Sequence, residues 1–234
     1  MRAYIHVDMH PLLHSHWKSA AVHPPLRPGE VHVWSAHLAD GDGQALGDLL
    51  SPNEWIRAQR FHFERDRVRF IAGRGLLRTI LGRYLDVEPR DLRITQGPHG
   101  KPELEGIATS LSFNLSHSDD LMLLAVTHAR AVGIDLELMR DDVPFQTLAD
   151  YYFKPEDAWR LRLLPPAQRA DKFYDLWTST EAQLKASGLG LSRGIKVLEP
   201  DRWSLLKLTP AAGYAAALAV EGGDFQLECW SWQK

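Results

Sequence analysis

Apolar residues recur at every second position in several short stretches of this chain, and at every third or fourth position in two long ones. The first period is that of a half-buried strand and the second that of an amphipathic helix. Val31, Val33 and Leu38 place a first strand over Glu30–Leu38. Ser51-Pro52 followed by Glu54 reads as a helix N-cap with proline at the first helical position. A longer helix follows from Asp66 to Tyr84, with Val68, Ile71, Ala72, Leu76, Ile80 and Tyr84 as its inward stripe. The glycines and prolines of 97–102 predict a rigid exposed loop, and two strands, Leu111–Leu115 and Leu121–Thr127, come next.

The remainder repeats this plan loosely. Val132–Leu138 reads as a strand, Pro155 opens a helix, and Gln168–Ser187 forms another with Phe173, Leu176, Trp177, Thr180 and Leu184 facing inward. Gly188 stands where a left-handed C-terminal cap is wanted. Ile195–Leu198, Trp203–Leu208, Tyr214–Val220 and Phe225–Trp230 complete the predicted strands. The expected class is α+β, two similar halves spanning 29–128 and 129–234, with strands pairing as antiparallel sheets. A cleft between the halves is the expected place for a ligand. Residues 1–28, rich in histidine and proline, read as a loosely ordered leader; the prolines interrupt the histidine spacing, and no complete metal-ligand set emerges.

Composition narrows the function. Of 234 residues, 44% are apolar, ordinary for a globular protein, and no apolar run is long enough to span a membrane. No secretory signal is expected at the N-terminus. Cys229 is the only cysteine, which excludes an internal disulfide and points to a reducing, cytoplasmic compartment. A net charge of −3 argues against a nucleic-acid partner. Charge is uneven, however: Arg57, Arg60, Arg65, Arg67, Arg69, Arg74 and Arg78 face only Glu64 and Asp66 within the same span. That patch suits a small, phosphorylated ligand, or is simply a solvated helix face.

Three local patterns carry chemistry. In Gly133-Ile134-Asp135-Leu136-Glu137 the two carboxylates lie two apart on a strand and project together. Paired carboxylates repel and are comfortable around a hard divalent cation such as Mg2+; a polar outer face of an edge strand is the alternative. Glu181 and Lys185 lie four apart at the edge of a buried stripe, poised to enter a cleft or to form an ordinary surface pair. Phe113-Asn114-Leu115-Ser116-His117-Ser118 ends a strand with groups able to hydrogen-bond a phosphate. Adjacent Ser116 and His117 point apart, so they are no catalytic dyad.

In order and spacing these motifs, preceded by Gly100-Lys101-Pro102 and followed by Trp177-x-x-x-Glu181-Ala182-x-x-Lys185-x-x-Gly188-x-Gly190-Leu191, resemble the 4′-phosphopantetheinyl transferase superfamily. The likeness extends from about Ser51 to Ser192 and is to the larger, Sfp-type branch, in which two α+β halves form an intramolecular pseudo-dimer. It implies a monomer that transfers the phosphopantetheine of coenzyme A to a serine of a fatty-acid, polyketide or peptide carrier protein and releases 3′,5′-ADP. It also implies that Asp135, Glu137 and Glu181 ligate Mg2+, or Mn2+ in its place. Glu181 and Lys185 would be catalytic, the first as proton acceptor and the second beside the phosphates. Arg57 and Arg69 would contact phosphate, Lys101 and Pro102 would border the adenosine, and Ser116 with His117 would meet the nucleotide end. The likeness breaks at Thr180, where the family commonly carries a lysine. A metal-dependent nucleotide hydrolase and a non-catalytic carrier or coenzyme A binder are the competing readings.

Overall fold

The computed structural model describes residues 17–19, 24–39, 43–97, 100–189 and 200–233. The chain opens with β1 (Lys18–Ser19) and β2 (Glu30–His37), followed by α1 (Gly43–Gly47), α2 (Pro52–Ala58) and α3 (Glu64–Leu85). A hairpin of β3 (Ile94–Gln96) and β4 (Pro102–Leu104) leads to β5 (Leu111–Ser118), β6 (Leu121–His128) and β7 (Val132–Leu138). Then come α4 (Phe145–Tyr152), α5 (Pro155–Leu163), α6 (Pro166–Ser187), β8 (Trp203–Leu208), β9 (Tyr214–Glu221) and β10 (Gln226–Ser231). The expected strand at 195–198 lies outside the described residues. No described helix is long and apolar enough to cross a membrane.

The strands form a five-stranded sheet in the order β1-β10-β2-β6-β5, a three-stranded sheet β7-β9-β8, and the β3-β4 hairpin. The α+β class holds. Pairing is not wholly antiparallel as expected, because β10 runs parallel to β2 and β1 parallel to β10. The C-terminal strand thus belongs to the sheet built mainly from the first half. Lys18 and Ser19, within the stretch expected to be a loose leader, pair with Trp230 and Ser231.

Strand alternation explains the layering. Trp34, Ala36, Met122, Leu124, Val126 and Phe113 point from the larger sheet onto α3, while Val31, Val33, Leu121, Leu123 and Ala125 point the other way. That second face meets Val132, Ile134, Leu136, Leu218 and Val220 of the smaller sheet. Ala217 and Ala219, at the intervening positions of β9, face Ala182 and Ala186 of α6. Each half is therefore a sheet with one long helix on its outer face, and the two sheets pack through their inner faces.

Both long helices begin earlier than the apolar pattern suggested. In α3 burial runs continuously from Ala72 to Arg78 and includes Arg74, whereas Val68, assigned to the inward stripe, is 42% exposed. Two caps are as expected. The Ser51 hydroxyl accepts from the Glu54 N–H, and Glu54 Oε2 accepts from the Ser51 N–H at 2.9 Å, a reciprocal capping box. Gly188, at φ +71°, ends α6 in the left-handed conformation.

One glycine decides where α6 lies. A Cβ on Gly133 would fall 2.0 Å from the Ala182 carbonyl oxygen and 2.4 Å from the Ala186 nitrogen, both backbone atoms of α6. Backbone cannot rotate aside as a side chain can, so Gly133→Ala must push the helix off β7. We expect a loss of about 3 kcal/mol or more, at the top of the usual range for overpacking. In a chain of this size that lowers Tm by roughly 6 °C or more, measurable by thermal unfolding; an unchanged Tm would show that α6 and β7 are not in such close contact.

Candidate active site

The close approach permitted by Gly133 brings two residues of α6 over the carboxylates of β7. Lys185 Nζ donates to Asp135 Oδ1 at 2.6 Å and to Ser116 Oγ at 3.0 Å. The surface-pair reading of Glu181 and Lys185 is thereby excluded for the lysine, which reaches across to β7 instead of turning back along its own helix. Asp135 is 4% exposed. Burial holds its carboxyl pKa above the ordinary range, against the pull of Lys185, Ser116 and the Leu136 N–H.

The neighbouring carboxylates behave alike. Glu137 is raised first by burial and then by the charge of Asp135, opposed by hydrogen bonds from Ser118 and Trp177. Glu181 is raised by burial and by both other carboxylates, with Lys185 acting against them. Three acids that disfavour one another's ionisation sit at one place. Asp135 Oδ2 and Glu181 Oε1 are buried without a hydrogen-bond partner, a costly arrangement for acceptor oxygens unless a cation serves them. Among the described residues no three such groups converge tightly enough to close a cage alone. The residues therefore fit a small hard cation that takes part of its coordination from water and a bound phosphate, the habit of Mg2+.

β5 supplies the frame. Asn114, Ser116 and Ser118 alternate on the side facing β7: Asn114 Oδ1 accepts from the Ile134 N–H at 2.8 Å, Ser116 donates to Asp135 Oδ1 at 3.2 Å, and Ser118 donates to Glu137 Oε2 at 3.1 Å. Ser118 also accepts from the Leu138 N–H at 3.0 Å. Side chains rather than backbone bonds thus join the two sheets at this edge. Asn114 and Ser118 stand in the Phe113–Ser118 motif, but their part in framing β7 is new; the every-second-residue spacing of polar groups is its signal.

The structure separates the expected pair of Ser116 and His117. Ser116 serves the carboxylates, while His117 shares the other face of β5 with Leu115 and Phe113, towards α3. Its ring reaches solvent but is walled by protein. Burial, then the charges of Lys185, Arg74, Arg69 and Arg57, hold its pKa below that of free imidazole. The arginine run is divided as well. Arg57 is exposed and lies over the Phe70 ring, 5.2 Å from its centroid. Arg69 is instead held by acids, its Nε donating to Asp120 and Nη2 to Asp119, each at 2.7 Å, so those donors are spent on the β5–β6 turn. Lys101 Nζ donates to the Lys185 carbonyl at 2.9 Å, bringing the loop before β4 to the end of α6, and Pro102 opens β4 beside it, half-buried. Thr180 donates to the Leu176 carbonyl of its own helix at 2.7 Å.

Comparison with known proteins finds relatives over nearly the whole chain. Residues 34–129 match the family described as 4′-phosphopantetheinyl transferase, N-terminal, and residues 131–229 match the 4′-phosphopantetheinyl transferase superfamily. The 4′-phosphopantetheinyl transferase HetI of Nostoc sp. is 40% identical over 235 residues, covering 94% of this chain and 99% of its own. A phosphopantetheinyl transferase of Thraustochytrium sp. is 32% identical over 72% of this chain and 65% of its own. The 4′-phosphopantetheinyl transferase Sfp of Bacillus subtilis is 26% identical over 66% of this chain and 67% of its own. On the strength of that near full-length identity and of both halves' matches, this chain belongs to the 4′-phosphopantetheinyl transferase superfamily, in its Sfp-type branch.

Proposed function

We propose that Asp135, Glu137 and Glu181 hold Mg2+ against the pyrophosphate of coenzyme A while this transferase moves the phosphopantetheine arm onto a carrier-protein serine. The observation that carries the site is the meeting of α6 and β7: three mutually repelling carboxylates, two of their oxygens buried and without a hydrogen-bond partner. The serine oxygen forms a bond to the β-phosphorus, and the bond from that phosphorus to 3′,5′-ADP breaks. Glu181 takes the serine proton. Lys185, already within the site through Asp135 and Ser116, places positive charge beside the leaving phosphate. When bound, the cation would supply charge to neutralise the pyrophosphate. Ser116 and Ser118 orient the two β7 carboxylates.

At the other end, Arg57 and His117 take the 3′-phosphate, with Lys101 and Pro102 bordering the adenosine. Lys101 places a cation near the end of α6. Arg69 orders the β5–β6 turn and reaches the nucleotide only through that turn. We expect His117→Ala and Arg57→Ala to weaken coenzyme A more than 3′-dephospho-coenzyme A, by roughly tenfold to a hundredfold for a lost charge-assisted hydrogen bond. Isothermal titration with both ligands measures this, and equal losses would show that neither residue reads the 3′-phosphate.

Release of 3′,5′-ADP with and without an apo-carrier separates the transferase from its rivals. Release that requires carrier, matched by the carrier's mass gain, is expected. Release without carrier would instead mark a hydrolase, and none in either case a binder.

A further inference from the structure

Arg74 is not part of the site as the sequence delimits it, yet its surroundings set it apart from the other arginines of the run. It lies within α3 with only 10% of its side chain exposed. Its nearest acid is Glu54, 4.0 Å from Nε, too far for a hydrogen bond. Glu54 Oε2 is already answered, accepting from Arg78 Nε and from the Ser51 N–H and hydroxyl at 2.8, 2.9 and 3.0 Å, whereas Oε1, the oxygen facing Arg74, is buried without a hydrogen-bond partner. Arg78 is fully satisfied, donating also to the Pro89 and Leu92 carbonyls. Arg74 makes no hydrogen bond to any described residue, and none of its nitrogens is cut off from solvent. Holding a guanidinium largely buried with no protein acceptor costs desolvation, and it leaves the donors open to whatever the solvent brings.

What surrounds it makes the cost greater. Its guanidinium lies 5.7 Å from the Phe70 ring, the same ring that Arg57 covers at 5.2 Å. Two like charges are thus gathered about one aromatic ring, and His117 feels both. A single carboxylate cannot balance Arg57, Arg74 and Arg78 together, so the cluster carries surplus positive charge at the solvent-facing side of His117. An anion with several acceptor oxygens answers every part of this: free donors, repelling cations and an imidazole beside them.

We infer that Arg74 is a ligand for the 3′-phosphate of coenzyme A, completing with Arg57 and His117 a three-sided phosphate site. The inference rests on coenzyme A being the substrate. A planar guanidinium can bond two phosphate oxygens at once, which lysine cannot. Arg74 would therefore govern discrimination between coenzyme A and its 3′-dephospho form.

The test is isothermal titration of the full chain, in Mg2+, with coenzyme A and with 3′-dephospho-coenzyme A. Arg74→Gln is expected to weaken coenzyme A by at least about tenfold and the dephospho ligand by less than about threefold. Equal losses for both, or loss for neither, would overturn the assignment. Should Arg74→Gln melt well below the wild type without ligand, Arg74→Lys decides. It keeps the charge but not the fork, so a loss of about threefold or more confined to coenzyme A supports the site. Wild-type affinities for both ligands, or equal losses, exclude it. If the wild type binds neither ligand, the reading of coenzyme A as substrate has failed and not the role of Arg74.

Discussion

Asp135→Ala should give a folded protein that transfers no measurable phosphopantetheine. The fold survives because this carboxylate is a burden to it: buried, raised in pKa, with one oxygen unpartnered. Alanine on β7 faces other alanines, Ala217 being its partner across the ladder. Lys185, a quarter exposed, can turn its amine to water once Asp135 is gone. Function does not survive, because Asp135 is the point where Lys185, Ser116 and the proposed cation meet. Far-ultraviolet circular dichroism and thermal unfolding establish the fold, and mass gain of an apo-carrier in Mg2+ reports transfer. A folded variant that works at near wild-type rate would remove Asp135, and with it the metal assignment, from the site.

Glu181→Gln keeps the shape of the side chain and takes away its charge and basicity. Transfer should fall by at least about a hundredfold, the low end for losing a general acid–base group. Affinity for coenzyme A should fall less, since Asp135 and Glu137 remain to hold the cation. Stability moves the opposite way: one of three carboxylates that raise one another's pKa is removed, so without divalent cation the variant should melt no lower than the wild type. Lys185→Met should slow transfer as well, by loss of charge beside the leaving phosphate. A small loss of stability with unchanged turnover in both variants would mean that the reaction occurs elsewhere.

Much of this arrangement was legible before any coordinates, and the reasons are local. Asp135 and Glu137 share a face because a strand alternates, and the Ser51 box and the Gly188 cap follow from the chemistry of helix ends. What escaped depends on how distant segments meet. Nothing near Glu181 shows that Lys185 will reach Asp135, since that contact exists only because Gly133 lets α6 lie on β7. Arg74 was lost among its neighbours because α3 is buried around most of its middle, so no stripe distinguishes a buried arginine from an exposed one. Alternation alone sends Ser116 and His117 to opposite faces of β5, but it does not say that the Ser116 face meets the carboxylates of β7. The parallel placement of β10 had no local signal, because hydrophobic alternation marks a strand without naming its partner.

That placement of β10 bears on how the molecule can come together and be taken apart. β2 carries β6 on one side and β10 on the other, and β10 follows the whole second half in the chain. Until it docks, β2 presents an open row of amides and carbonyls to any other strand that passes. Closing so distant a pairing is slow, and meanwhile the unfinished sheet is a template for aggregation. Chain cut between 128 and 131 would leave 29–128 with that open edge, and 129–234 with the strand that closes it. The break that best separates the halves in sequence thus yields fragments that must reassemble to fold, a natural pair for split-protein complementation.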